Sequence, residues 1–377
     1  MLAKKTTWEI GDPQTAFTLP AKFFYDPEIF DEEKRNVFFK SWHCVCHESD
    51  VPEAGSFITE NIFEQSVIVV RGRDNEVRAF HNVCQHRGNR LITERRGKVN
   101  VVFRCGYHSW SYGLDGALRA APRSECLQGF DKGGHGLKSV RMEIFAGFVF
   151  INFDNNAQSV AEMCPGAEAE IRRFIPDLDN MRLIEEVDVS VNANWKVIQE
   201  NSIEAYHFDL SGPVHKHLTS LIDYKSYTLK EYGNWWTYMA PPKAGVTAAY
   251  GKAINGASYQ TDWFFNIGLF PNTTFYCFPF TDMLGTFIMI PTGPETSLLR
   301  FGYYGPNGQI PELTKAGIHW MNTELGPEDI ALNLTTQKGL HSFGYDQGRY
   351  LVDAERSNQS EHLVHHFHKL YYQALRP

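Results

Sequence analysis

Cys84-Gln85-His86-Arg87-Gly88 and Cys105-Gly106-Tyr107-His108-Ser109-Trp110-Ser111-Tyr112-Gly113 are the stretches on which the reading of this chain turns. The first couples a thiolate to an imidazole as Cys-x-His, the second as Cys-x-x-His, with 18 residues between His86 and Cys105. Thiolates and imidazoles brought together in this way fit a compact metal site. The simplest such site is a structural zinc of Cys₂His₂ type, but zinc fingers usually pair Cys with Cys and His with His. Here each pair is mixed. Both loops carry glycine, as expected where backbone amides must approach the metal-bound sulfurs.

Mixed pairs in this order are the ligand set of a Rieske centre. Two thiolates hold one iron of a [2Fe–2S] cluster and two imidazoles hold the other, which raises the reduction potential because neutral donors replace anionic ones. The two loops resemble the Rieske domain of the non-haem iron oxygenases, the ring-hydroxylating and demethylating oxygenase α subunits. That family more often has Cys-Pro-Tyr-His-Gly-Trp in its second loop. Gly106 and Ser109 stand at the Pro and Gly positions here, and all four cluster ligands, Cys84, His86, Cys105 and His108, are retained.

With 377 residues the chain is long enough for two or three domains, and a hydrophobic content of 43% permits a large core. A net charge of −8 argues against a polyanion binder, so no nucleic-acid partner is expected. Of the seven cysteines, Cys44, Cys46, Cys126, Cys164 and Cys277 remain after the cluster is assigned and form no spaced framework. An odd count beside a reduced-metal motif favours a cytoplasmic location. The N-terminal stretch Met1 to Ile10 has no apolar core of a signal peptide, and no run of about 18 apolar residues predicts a membrane span.

Around the cluster loops the patterning divides the chain into a helical lead-in (1–40), an all-β Rieske domain (41–156) and a catalytic domain (157–377). In the lead-in, Ile29, Phe30, Val37 and Phe38 make one face of a helix that starts at Pro27 and is expected to pack with the catalytic domain. In the second segment, Ser66 to Arg71 and Val77 to Val83 read as a hairpin feeding the first ligand loop. Val101 to Arg104 is a strand feeding the second, and Phe145 to Phe153 reads as a single closing strand. His43-Cys44-Val45-Cys46-His47 invites a metal assignment, but its alternation fits a buried strand. The C-terminal stretch predicts an amphipathic helix capped by Ser360, packed or solvated rather than offering His362 and His366 to a metal.

A second constellation starts at Asn194-Trp195-Lys196 and runs through Glu200-Asn201 to Glu204 and His207. The segment looks helical beyond Trp195, which would put Glu204 and His207 on one face at i, i+3. Histidines follow at 215 and 217. Two histidines and one carboxylate with open positions are how non-haem Fe(II) activates O₂. The family resembled here has the same Asn-Trp-Lys, Glu-Asn, acid and first-His pattern. It usually places the second His five residues after the first, where this chain has Gly212, so the second ligand becomes His215 or His217. His215 is favoured by its Val-His-Lys context. The resemblance implies Asp329 as the carboxylate, within Gly326-Pro327-Glu328-Asp329 at the start of a late helix. An acid in that position also stabilises a helix N-terminus, which would account for Glu328 equally well; Glu328, Asp353 and Glu355 are lesser candidates.

Taken over nearly the whole chain, and with Gly348-Arg-Tyr and His365-His-Phe-His, the resemblance is nearest the choline-monooxygenase and glycine-betaine-oxygenase branch. It implies an α+β chain whose catalytic domain has an antiparallel sheet covered by helices, of helix-grip type. The cofactors implied are a [2Fe–2S] Rieske cluster and a mononuclear Fe(II). The chain has no G-x-G-x-x-G after a strand, so electrons from NAD(P)H would arrive through a separate reductase of flavin or ferredoxin type. The implied assembly is a head-to-tail homotrimer, with Glu204 bridging a cluster to the neighbouring iron and Asn201 beside it as a catalytic residue. The activity implied is O₂-dependent hydroxylation or oxidative demethylation of a small organic substrate, the resemblance to the betaine branch suggesting a quaternary ammonium compound, which aromatic rings can hold by cation–π contact. Hydroxylation or dihydroxylation of an aromatic acid is the alternative substrate reading, and a Rieske electron carrier is the non-enzyme alternative.

Overall fold

A computed structural model describes residues 4–254 and 261–376, so the first three residues of the lead-in lie outside the described residues. The chain forms two compact units, one from residues 39–160 and one from residues 1–38 with 161–377.

The smaller unit is built from antiparallel strands. Gln65–Arg71 pairs on one side with Val77–His81 and on the other with Ser56–Ile62, as the hydrophobic alternation predicts. His43–His47 is a fully buried strand paired with Phe148–Asn152. The expected single closing strand is instead a hairpin of Arg141–Phe145 and Phe148–Asn152, because Ala146 and Gly147 both take positive φ (53° and 78°) and turn the chain back. A Cβ at position 147 would meet the His47 ring at 2.6 Å, so glycine is also required there by space.

Among the described residues of the larger unit the α-helices of two turns or more are α1 (Pro27–Asn36), α2 (Ala167–Phe174), α3 (Trp195–Ser202), α4 (Pro213–Leu221), α5 (Glu312–Trp320), α6 (Gly326–Leu340) and α7 (His362–Leu375). The sheet has seven antiparallel strands in the spatial order Met181–Val191, Thr296–Pro306, Leu284–Gly293, Thr273–Cys277, Phe264–Leu269, Trp235–Ala240, Thr228–Glu231. Val191, Met289 and Leu299 of this sheet bury Ile198 of α3 and pack against Ile330 and Leu334 of α6. That apolar seam presses α3 and α6 onto one face of the sheet.

Two helix expectations change. The helix starting at Trp195 stops at Ser202, so Glu204 and His207 meet across a turn rather than along a helix face. The late helix does start at Gly326 with Pro327 in its first turn, as expected, and α5 runs into it through a π-turn, Met321–Leu325. Pro327 has no N–H to donate into the preceding turn, and the widened turn accommodates that loss. Ser360 does not cap α7; its hydroxyl sits 2.7 Å from the Nδ1 of His362.

The Asn-Trp-Lys segment proves to be a structural clamp. Asn194 caps α3 by accepting from the Lys196 amide at 2.9 Å. Lys196 Nζ lies 2.5 Å from Glu33 Oε1, both side chains essentially inaccessible to water. The indole of Trp195 donates to the other Glu33 oxygen at 2.9 Å, and the Tyr371 hydroxyl donates to Oε1 at 2.6 Å. One carboxylate of α1 thereby ties α3 and α7 together, and the rings of Phe24, Trp195 and Tyr371 surround the Lys196 ammonium. Lys196→Met, which strands the buried Glu33 charge, is expected to lower stability by about 3–5 kcal/mol. The double change Glu33→Leu with Lys196→Met is expected to recover most of that loss in urea denaturation.

Candidate active site and cluster loops

The two ligand loops of the smaller unit fold alike. In the first, the Cys84 amide donates to the Asn89 carbonyl (2.8 Å) and the Gly88 amide to the Cys84 carbonyl (3.0 Å). In the second, Cys105 donates to Trp110 (2.8 Å) and Ser109 to Cys105 (3.0 Å). Both cysteines are buried and both histidines exposed. The His86 and His108 rings lie 4.7 Å apart, and His86 stacks on Trp110. Burial pushes the Cys105 thiol up, but the amides of Tyr107 and His108 aimed at its sulfur outweigh this and hold it below the ordinary thiol range. Cys84 Sγ is 3.2 Å from the Tyr112 hydroxyl. The donors thus sort as two buried sulfurs and two adjacent, exposed imidazoles, the division of ligands between the two irons of a Rieske cluster.

The fifth residue of each loop explains a departure seen in the sequence. Gly88 has φ of +73° and Ser109 +63°, the same left-handed backbone. Ser109 carries a side chain where the fold asks for glycine, and its hydroxyl takes a bond from Arg104 at 2.9 Å.

In the larger unit, His207 comes from the turn after α3, His215 from the first turn of α4 and Asp329 from the first turn of α6. Their three donor atoms converge. His207 Nε2 lies 3.2 Å from His215 Nε2, and Asp329 Oδ1 lies 3.5 Å and 3.2 Å from those two nitrogens. Donors about 2.1 Å from one ion at right angles stand about 3 Å apart, so the triangle has the edges of one octahedral face.

The ring protons say what the triangle is for. Each histidine gives Nδ1–H to a carboxylate: His207 to Glu204 Oε1, and His215 to Glu328 Oε1 at 2.5 Å. That fixes the tautomer and leaves both Nε2 atoms as bare acceptors. Asp329 Oδ1 is buried and makes no hydrogen bond. Three acceptors facing one point repel unless a cation sits among them. The His207 ring responds in the same sense: burial opposes its charge, yet Asp329 and Glu204 outweigh burial and push it up to about 9. This donor set fits a mononuclear divalent iron.

Among the acids weighed from sequence, Glu328 stands behind His215 rather than in the triangle. It accepts from the Val214 and His215 amides (3.3 and 3.1 Å), capping α4, whose N-cap residue Gly212 has no side chain to do so. A Cβ on Gly212 would fall 1.9 Å from Glu328 Oε2, so glycine at the position where the family usually has its second histidine is what lets Glu328 reach. His217, two residues beyond His215 on α4, instead packs on Trp320 and Tyr250. Asn201 joins the wall of the cavity and accepts from Asn333 of α6 at 3.5 Å. Sequence reasoning missed the Glu328 role; the adjacent acids at 328 and 329 were the available signal.

A cavity of about 210 Å³ opens from the triangle, bounded by the sheet and by α3, α4 and α6. Its wall includes Phe208, Tyr238, Phe264, Tyr276 and Phe278. Phe208 packs on both His207 and His215, and Phe264 lies 6.2 Å from Phe208 and 5.4 Å from Phe278. Tyr276 meets Phe278 edge-on at 5.8 Å.

Comparison with known proteins agrees with this geometry. The domain described as Rieske [2Fe-2S] domain matches residues 41–131, and that described as Ring hydroxylating alpha subunit (catalytic domain) matches residues 178–376. The chain is 37% identical over 361 residues to the carnitine monooxygenase oxygenase subunit of Escherichia coli (strain K12), covering 96% of this chain and 94% of that one. The chain belongs to the Rieske-type ring-hydroxylating oxygenase α-subunit family. This Rieske oxygenase is also 36% identical over 207 residues to the glycine betaine monooxygenase oxygenase subunit of Chromohalobacter salexigens, covering 55% of this chain and 45% of that one. A solved quaternary ammonium Rieske monooxygenase, described in terms of carnitine oxidation and inter-subunit electron transfer, matches with a TM-score of 0.90 at 30% identity, covering 99% and 100% of the two chains. The Rieske oxygenase is therefore an oxidoreductase that carries a Rieske [2Fe–2S] cluster and a mononuclear iron. Among its described residues no helix is long and apolar enough to cross a membrane.

Four outcomes are expected. His215→Ala and Asp329→Ala lose one iron per chain by metal analysis and keep the visible absorbance of the cluster, whereas His217→Ala keeps both. Glu328→Gln and Gly212→Ala weaken iron retention about 10–100-fold in chelator competition. Iron retention weakens as pH falls from 9, by about tenfold per unit, because the proton competes for His207. Ser109→Gly raises stability by about 1 kcal/mol in chemical denaturation with the cluster absorbance unchanged.

Proposed function

We propose that this chain is the terminal oxygenase of a quaternary ammonium monooxygenase and attacks a C–H bond next to nitrogen. The observation that carries the reading is the aromatic wall that begins on the two histidines. Faces of Phe and Tyr attract an ammonium centre by cation–π contact, most strongly where water is excluded. The relatives that act on carnitine and glycine betaine support the same substrate class.

In this reading His207, His215 and Asp329 hold the iron, which supplies O₂ activation when bound. Cys84, His86, Cys105 and His108 hold the cluster, which passes electrons singly. Glu204 and Glu328 keep the Nδ1 protons in place, so the two imidazoles present their Nε2 atoms at a constant angle. Asn201, held by Asn333, orients the substrate against the triangle. The Phe264 and Phe278 rings exclude water and turn an N-alkyl carbon toward the ligand face. One oxygen atom of O₂ enters the C–H bond and the other leaves as water, with two electrons and two protons consumed. The carbinolamine product splits into a carbonyl compound and a tertiary amine, releasing one proton. Electrons come from NAD(P)H through a separate reductase of flavin or ferredoxin type. The working assembly is a head-to-tail homotrimer in the cytoplasm, in which the cluster of one subunit serves the iron of its neighbour and Glu204 lies on the route. The inter-subunit transfer described for the solved relative supports that arrangement.

The test is turnover with NADH, a reductase and a panel of ammonium compounds, read by product mass spectrometry; oxidation of neutral aromatics or aromatic acids alone would overturn the reading. For the route, Glu204→Gln, loaded with Fe(II) to the same iron content as the wild type, is expected to reoxidise a pre-reduced cluster at least about tenfold more slowly in a single turnover with substrate and O₂. Equal rates at equal iron content would remove Glu204 from the path.

A further inference from the structure

Beside the aromatic rings the sheet presents a row of residues whose polar atoms the chemistry above does not use. Tyr238, Asn266, Tyr276, Gly285 and Tyr303 are successive cross-strand partners on five neighbouring strands. Directly paired residues point to the same face. Four of these five residues line the cavity, Gly285 being the exception. Gly285 has a different part: a Cβ there would fall 2.3 Å from the Tyr276 ring, so glycine lets that ring lie across the strand toward Tyr303. Tyr303 is already engaged, donating to Asn322 of the π-turn at 2.6 Å. The middle of the row is less engaged. The Asn266 amide nitrogen is buried without a hydrogen-bond partner, in a residue only 6% exposed, and the neighbouring Tyr276 hydroxyl, in a residue only 3% exposed, interacts with that of the already engaged Tyr303. A neutral donor left unpaired on a cavity wall, beside a hydroxyl that can turn to a new acceptor, loses free energy that an acceptor brought into the cavity restores.

We infer that Asn266 and Tyr276 are specificity-determining residues that read an oxygen acceptor on the substrate. The inference rests on the ammonium reading and adds to it: the ammonium end lies along the Phe264 and Phe278 rings beside the iron ligands, and an oxygen further along the same chain meets the row. A site built to satisfy buried donors rejects the analogue that lacks the acceptor far more strongly than an apolar wall rejects a missing methylene. The oxygen can belong to a hydroxyl or to a carboxylate, the chemistry shared by both being a strong acceptor.

The experiment uses the loaded enzyme with its reductase and three trimethylammonium compounds of equal chain length, ending in methyl, hydroxyl or carboxylate. Dissociation constants are measured without O₂, and kcat and KM with it. At least one oxygen-bearing compound is expected to exceed the methyl compound by about a hundredfold in both affinity and kcat/KM; which one does identifies the oxygen. Tyr276→Phe, which keeps the ring, and Asn266→Leu are each expected to cut that ratio about tenfold or more through the oxygen-bearing compound, leaving the methyl compound within about threefold. A general loss of folding would instead lower all three together. Equal handling of the three compounds by the wild type, or an unchanged ratio in both variants, overturns the inference while the ammonium reading stands. If none of the three is bound or oxidised, the ammonium reading fails and this inference with it.

Discussion

Three ligand atoms, two imidazole nitrogens and one carboxylate oxygen, held within about 3.5 Å of one another are the constraint around which the larger unit is arranged. Such a cluster is stable only with a cation at its centre, and everything behind it works to keep it intact. Glu204 and Glu328 occupy the opposite nitrogens of the two rings and stop either ring from turning its N–H inward. His215 is gripped on both nitrogens by adjacent residues of one helix, Glu328 on Nδ1 and Asp329 facing Nε2. Because α6 carries both acids, its position sets the ligand geometry and the cap of α4 at once.

The position of α6 depends in turn on burial far from the metal. Ile330 and Leu334 hold it against the sheet, while Gln337 at its far end accepts from the Asn194 amide and donates to the Phe24 carbonyl. Asn194 starts the helix that ends just before Glu204, and the next two residues lock onto Glu33. The Asn-Trp-Lys segment therefore acts through packing and hydrogen bonding, not at the iron. A buried ion pair of this kind contributes little net stability over an apolar replacement, but it tolerates no unmatched change.

The cluster loops show how two short segments can carry a site almost alone. Each closes on itself through the same pair of backbone hydrogen bonds, so ligand spacing along the chain translates directly into ligand position. Ser109 keeps that geometry at the cost of a left-handed serine, which its bond from Arg104 partly offsets.

What the sequence by itself determined follows from that locality. Cys84, His86, Cys105 and His108 lie in two contiguous loops, and the strands that feed them alternate visibly, so the fold class could be read without coordinates and the four candidate ligands named. His207 was legible because Glu204 sits three residues before it. The rest turned on contacts between residues more than a hundred positions apart. His215 and His217 differ only in which side of α4 they occupy, and the approach of α6 decides that. Glu328 and Asp329 are chemically alike and adjacent, so only the packing of α6 on the sheet assigns one to the triangle and the other to the ring behind it. The hairpin at Ala146-Gly147, the π-turn before Pro327 and the end of α3 at Ser202 were likewise hidden, since the apolar run continues through the first and no strong turn or cap residue marks the other two. The polar row of Asn266 and Tyr276 has no sequence signature at all. It exists because five strands register side by side, and register is a property of the assembled sheet.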